Sequence, residues 1–144
     1  MTLPPQKFRE AVFQILYSRD FQLDEEIEII PMMMQELKTT RRNMGEAAER
    51  VKAILAKNEE IDERIQAAST EYTFERISRV ERTILRLGIF ELLFDPSIPP
   101  KVAIAEGVRL CSKFGTPESS QFVNAILDGV YKNGLVLAEQ PVSV

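Results

Sequence analysis

Apolar residues along this chain recur at three- and four-residue intervals, the spacing of one helix face, and no convincing segment alternates with period two. Phe8, Ala11, Val12, Ile15 and Leu16 share such a face, with Pro4 and Pro5 near its start, where a missing N–H costs little. A first helix is expected over about residues 5–19. Asp24 reads as the N-cap of a second helix running to about Thr39, with Ile27, Ile30, Met34 and Leu37 as its stripe and Pro31 as an internal kink or split. A third stretch runs from about Gly45 to Lys57 through Ala47, Val51, Ile54 and Leu55. Asn58 reads as a fresh cap, followed by Glu59, Glu60 and a short fourth helix carrying Ile61 and Ile65. From Ala68 to Ile77 the pattern predicts no clear element.

The strongest element lies between Ser78 and Phe94. Ser78-Arg79-Val80-Glu81 fits a capping box, and the residues from Ile84 to Phe94 are apolar nearly all round, which places this helix at the centre of a fold. Asp95-Pro96 and Pro99-Pro100 bracket a rigid connector to a helix from about Lys101 to Phe114, with Gly115 expected as a left-handed residue just past its end. Thr116-Pro117-Glu118 then supplies a cap, a proline at the first helical position and an acid at the positive end of the dipole. The stripe Phe122, Val123, Ile126, Leu127, Val130 and Tyr131 carries the last helix to about Asn133, where Gly134 is expected to end it. One all-α domain over 1–134 with a loosely held tail over 135–144 is the expected organisation.

Composition narrows the chemistry. The longest apolar runs fall far below the roughly 18 residues of a membrane span, and Met1-Thr2-Leu3-Pro4-Pro5 has no secretory-signal pattern, so a cytoplasmic protein is expected. The chain has one cysteine and no histidine. An internal disulfide, a Cys/His zinc site and a histidine-based nucleophile arrangement are thereby excluded, and neither metal nor cofactor is expected. Cys111 falls at apolar helical spacing and is expected to be a core thiol. The net charge is −4, concentrated in residues 20–75, which hold seven bases and fourteen acids. A free-standing nucleic-acid binder usually has a more basic footprint, so any role on nucleic acid is expected to need a partner.

No Gly-rich phosphate loop, HExxH or GxSxG motif occurs. Glu25-Glu26 and Glu59-Glu60 stand at helix starts, where they suit the dipole rather than catalysis, and an enzyme is not expected. Arg79, Arg82 and Arg86 form a basic ridge on the central helix, read first as a set of bridges to acids of neighbouring helices and second as a phosphate track. Lys113-Phe114-Gly115 puts a base and an aromatic just before the N–H groups of the last helix, a place that suits an anion or a stacked base.

Three blocks carry a family resemblance. Arg9-Glu10-Ala11-Val12-Phe13-Gln14-Ile15-Leu16-Tyr17 is similar to the first-helix motif of the bacterial NusB family, and Val80-Glu81-Arg82-Thr83-Ile84-Leu85-Arg86-Leu87 with Glu91-Leu92 resembles its central-helix motif. Ile98-Pro99-Pro100-Lys101-Val102-Ala103-Ile104-Ala105-Glu106, Lys113-Phe114-Gly115, Ser119, Phe122-Val123-Asn124 and Leu127-Asp128 follow the closing signature of that family. The blocks lie in family order from about residue 9 to residue 128, with a diverged stretch between Ser18 and Ile77. The resemblance implies an all-α fold of about seven helices in two small packed bundles. It also implies a transcription antitermination factor that pairs with NusE, a small-subunit ribosomal protein, and holds the boxA RNA of ribosomal RNA operon transcripts. Such a factor works within the transcribing RNA polymerase complex with other Nus factors, and some members form a homodimer.

Carried over by position, RNA contact falls on Lys7, Arg9, Lys113, Glu118, Gln121 and Phe122, and NusE contact on Tyr17, Glu75 and Glu81. Tyr17 and Phe122 also suit packing, and Glu81 also suits the capping box. Many members begin with a dense arginine run where this chain has only Lys7 and Arg9, and Ala105 and Ala125 stand where the family often has Asn and Gly. Two other readings compete. One is the NusB-like domain found ahead of ribosomal RNA cytosine methyltransferases, opposed by the lack of an S-adenosylmethionine-binding sequence before Val144. The other is a helical adaptor that binds protein only, favoured by the sparse bases of the first helix and opposed by the intact stretch from Lys113 to Asn124.

Overall fold

The computed structural model describes residues 3–19, 35, 39–70 and 72–139, and the side chains of 134–139 lie outside that description. The described chain is helical, with six α-helices, one 3-10 turn and no strand among the described residues. It divides into two compact units, residues 1–57 and 58–144.

In the first unit, helix α1 (Pro5–Arg19) packs on helix α2 (Arg41–Ala56). The buried side of α1 includes Ala11, Val12, Ile15 and Leu16, the stripe that its periodicity predicts. On α2, Met44, Ala47, Val51 and Ile54 are fully buried, three to four residues apart as one helix face requires. Helix α2 begins four residues before the expected start at Gly45. Thr40 caps it, its Oγ1 accepting from the Asn43 amide at 3.2 Å, while the Asn43 side chain donates to Thr39 Oγ1 at 2.8 Å. The expected second helix, Asp24 to Thr39, lies outside the described residues except at Gln35 and Thr39, and Thr39 is not helical.

The second unit is built around helix α4 (Arg79–Phe94), which packs on α3 (Asn58–Ala68), α5 (Pro100–Phe114) and α6 (Pro117–Glu139). The Ser78 capping box is complete. Ser78 Oγ accepts from the Glu81 amide at 3.1 Å, and the Ser78 amide donates to Glu81 Oε1 at 3.0 Å. Thr83, Ile84, Leu85, Leu87, Gly88, Ile89, Phe90 and Glu91 are all buried, which accounts for a sequence that is apolar nearly all round. Close approach to α6 depends on two glycines. A Cβ on Gly88 would lie 2.9 Å from a Leu127 methyl carbon, and a Cβ on Gly107 2.7 Å from the other.

Three local expectations give way in this unit. Asn58 is the first residue of α3 rather than its cap, and its Oδ1 is buried with no hydrogen-bond partner. Gly115 ends α5 with φ −120° and ψ −146°, an extended backbone rather than the left-handed one. Glycine is used there for closeness, since a Cβ would lie 3.1 Å from the Cys111 carbonyl oxygen that accepts the Gly115 amide. Helix α6 runs through Gly134 to Glu139. A single interior glycine costs only about 1 kcal/mol relative to alanine, and Leu135-Val136-Leu137-Ala138 continues a helix-compatible sequence. At its start, α6 has the expected cap, with Thr116 Oγ1 accepting from the Ser119 amide at 3.1 Å.

Cys111 is fully buried, as its spacing predicts. Burial first, and the Glu81 charge second, push its thiol up to about 12, so it stays protonated at neutral pH. Among the described residues no helix is long and apolar enough to cross a membrane, and no three His, Cys, Asp or Glu residues are grouped to hold a metal.

Candidate functional site

The start of α6 places three of the expected RNA-contact residues on one surface. Thr116 and Pro117 fix the first turn, and from that turn Glu118, Gln121 and Phe122 line a hollow of about 370 Å³. A spacing of three and four residues sets them on one helix face. Ala68, Thr70 and Tyr72 complete the opposite wall. Phe122 is half-buried, and its ring meets Tyr72 edge to face, centroids 5.6 Å apart at 75°. Glu118 and Gln121 are exposed, so their polar ends are available to a ligand in the hollow.

Lys113, the fourth expected contact of this unit, is exposed in the last turn of α5, its ammonium 5.9 Å from the centre of the Phe114 ring. A base and an aromatic thus precede the α6 start, as the Lys113-Phe114-Gly115 motif suggests. Lys7 and Arg9 belong to α1 in the other unit. Lys7 is exposed and pairs with Glu10 at 3.8 Å, whereas Arg9 is buried. Of the two bases expected on the first helix, only Lys7 presents its charge at the surface.

The residues expected to meet a protein partner are also divided. Tyr17 is half-buried on α1, its ring stacked on Phe13 with centroids 5.7 Å apart. Glu75 is exposed in the 3-10 turn Phe74–Arg76, and Glu81 is partly exposed in the first turn of α4, already engaged with the Ser78 amide. Glu75 lines a second hollow of about 460 Å³.

Arg86 and Arg82 of the arginine ridge take a structural role, while Arg79 is exposed. Arg86 grips Asp62 of α3 in a two-pronged pair, Nε to Oδ1 at 2.9 Å and the terminal nitrogen to Oδ2 at 3.0 Å. Arg82 and Arg86 both stand over the Phe74 ring, 5.4 and 5.8 Å from its centre. These contacts hold the 3-10 turn and α3 against α4, with cation–π attraction adding to the ion pair. Sequence reading missed Tyr72. It lies in the stretch without periodicity, and its one signal was an aromatic set among Ser69, Thr70 and Thr73.

A family model described as the NusB family matches residues 6–132. The chain belongs to the NusB family. The transcription antitermination protein NusB of Chlamydia pneumoniae is 34% identical to it over 128 residues, covering 89% of this chain and 80% of that protein. The solved structure of T. maritima NusB is similar with a TM-score of 0.76 at 32% identity, covering 92% of this chain and 93% of that one. A chain in the crystal structure of antitermination factors NusB and NusE in complex with dsRNA gives a TM-score of 0.74 at 28% identity, covering 89% of this chain and 96% of that one. NusB proteins are non-enzymatic transcription antitermination factors, and the all-α fold agrees with membership. Phe122 is therefore a residue to test for ligand contact rather than for chemistry. On the reading of Phe122 as an RNA contact, Phe122→Ala is expected to weaken RNA binding by about 1–3 kcal/mol with little change in melting temperature, as loss of a stacking ring should. A titration run beside a thermal melt checks this, and a melting shift of core size would make Phe122 a packing residue.

Proposed function

We propose that this chain pairs with NusE and, with it, holds boxA RNA of ribosomal RNA operon transcripts in the cytoplasm, within the transcribing RNA polymerase complex. Residues 1–134 act as one binding domain in this reading. The observation that carries it is the likeness to the NusB solved together with NusE and dsRNA, which extends over 89% of this chain. Supporting it, Glu118, Gln121 and Phe122 share one hollow while Tyr17, Glu75 and Glu81 remain for the protein partner. Lys113 and Lys7 supply charge for the RNA backbone.

NusE is needed because this chain alone neutralises few phosphates. It is acidic overall, Arg9 is buried and Lys7 is shared with Glu10. Adding NusE should tighten boxA binding at least about tenfold, roughly 1.4 kcal/mol. Mixing the chain, NusE and labelled boxA RNA, and resolving binary from ternary complexes, tests the proposal. Equal RNA affinity with and without NusE would overturn the dependence. The burial of Arg9 favours a second reading, an adaptor that binds NusE but not RNA. A binary protein complex that leaves boxA RNA free would establish that reading instead.

A further inference from the structure

Tyr72 is one of two large apolar side chains on the described surface that are conspicuously exposed, at 49%. Its backbone is held in place, because Ser69 Oγ donates to the Tyr72 carbonyl at 2.7 Å. Tyr72 lines the hollow that contains Phe122, Glu118 and Gln121, and it also lines the second hollow with Gln66, Thr73 and Glu75. Thr70 is the other residue common to both. The tyrosine thus stands at the boundary of two adjacent recesses, with the Phe122 ring in edge-to-face contact with it on one side.

The lining of the recesses defines their occupant. Neither contains a lysine or arginine, so neither is built for phosphate. Each offers aromatic surface, at least one threonine hydroxyl and one glutamine amide, and the first adds the Glu118 carboxylate. Carboxylates accept from the amino groups of nucleobases, and hydroxyl and amide groups meet both their donors and their acceptors. Exposed aromatic rings beside such groups are the usual means of holding unpaired bases.

We infer that Tyr72 is an RNA-binding residue, stacking unpaired bases at the boundary of the two hollows and carrying the RNA track from Phe122 toward Gln66 and Thr73. The inference rests on the RNA-binding reading above and adds to it a residue and a direction. Bases locked in a duplex are not free to enter the recesses, so the contact is confined to single-stranded RNA.

The test compares the parent chain with Tyr72→Ala and Tyr72→Phe, each with NusE, on single-stranded boxA RNA and on the same RNA annealed to its complement. Tyr72→Ala should weaken single-strand binding by about fivefold or more, as loss of one stacked base does. Tyr72→Phe keeps the ring and should stay within about twofold of the parent. Duplex affinity and NusE affinity measured without RNA should be the same for all three. Single-strand affinity unchanged in Tyr72→Ala while Phe122→Ala loses binding would overturn the role of Tyr72 and leave the proposed function standing. Equal losses in Tyr72→Ala and Tyr72→Phe, or equal losses on single strand and duplex, would also overturn it. If the parent chain with NusE binds neither RNA, the proposed function fails and the role of Tyr72 fails with it.

Discussion

Leu127→Ala is expected to destabilise residues 58–144 by about 3–5 kcal/mol, the range for truncating a fully enclosed leucine that leaves a cavity. Leu127 has no exposed surface, and it fills the space left by the missing side chains of Gly88 on α4 and Gly107 on α5. One α6 side chain therefore keys three helices together. The complementary change is Gly107→Ala, whose Cβ would lie 2.7 Å from a Leu127 methyl carbon. Leu127 is enclosed and cannot swing away freely, so this overpacking should cost about 1–3 kcal/mol despite the better helix propensity of alanine. Combining the two should restore part of the loss, since each change makes room for or fills what the other alters. A coupling of at least about 1 kcal/mol, measured by urea unfolding of the parent, both single variants and the double variant, is the expected result. Strict additivity would show that Leu127 and Gly107 do not share the contact.

The parts of the fold that were legible share a physical property: each is specified by residues within one turn of one another. Ser78 and Glu81 satisfy each other three residues apart, and Thr116 satisfies the Ser119 amide in the same way. Such bonds depend on local spacing and survive any tertiary arrangement. Thr40 obeys the same rule, yet the apolar pattern predicts a start only at Gly45, because Thr39 reads as the end of the preceding helix and Asn43, three residues after Thr40, is not the Glu or Gln of a capping box. Gly115 shows the limit more clearly. A glycine after a helix signals a need for a missing Cβ, but two needs look alike in sequence, a left-handed backbone and a close carbonyl, and here the second decides. Gly88 and Gly107 are further cases, because their reason lies on Leu127, 39 and 20 residues away in the chain.

The candidate site was legible to the extent that it is helical. Glu118, Gln121 and Phe122 come together through the three- and four-residue spacing of α6, which any reading of that helix supplies. Tyr72 comes to Phe122 from a segment without periodicity, across a tertiary contact that no local pattern encodes. Arg82 and Arg86 are structural because of Asp62 and Phe74, one an acid of a neighbouring helix and the other an aromatic of the 3-10 turn. Only the acid was anticipated. Arg9 illustrates the converse: its position in the first-helix motif marks it for RNA, while its burial could not be read from a pattern in which charged residues default to the surface.

Glu81→Gln is expected to weaken NusE binding by more than tenfold while leaving the melting temperature nearly unchanged. The two halves of this expectation come from one carboxylate, which closes the helix cap and which the proposed pairing assigns to NusE. Within the chain, Glu81 Oε1 accepts from the Ser78 amide at 3.0 Å, and a glutamine carbonyl oxygen can take over that bond. Loss of a helix cap is typically worth about 1 kcal/mol, so retaining it should keep the melting temperature within a few degrees. Toward a partner, the charge itself is what matters. NusE, as a ribosomal protein, is expected to be basic, and Glu81 with Glu75 offers it two partly or fully exposed acids on one unit of this chain. Removing one member of a close interfacial charge pair commonly costs about 2–5 kcal/mol, and the neutral amide recovers little of it. Glu81→Ala supplies the contrast, since it loses both the cap and the charge and should show both effects. Calorimetric titration of NusE into each variant, with a thermal melt of each variant alone, separates the two functions. NusE affinity unchanged in Glu81→Gln, with a lowered melting temperature in Glu81→Ala, would confine Glu81 to the capping box and leave Tyr17 and Glu75 as the residues to examine for the partner.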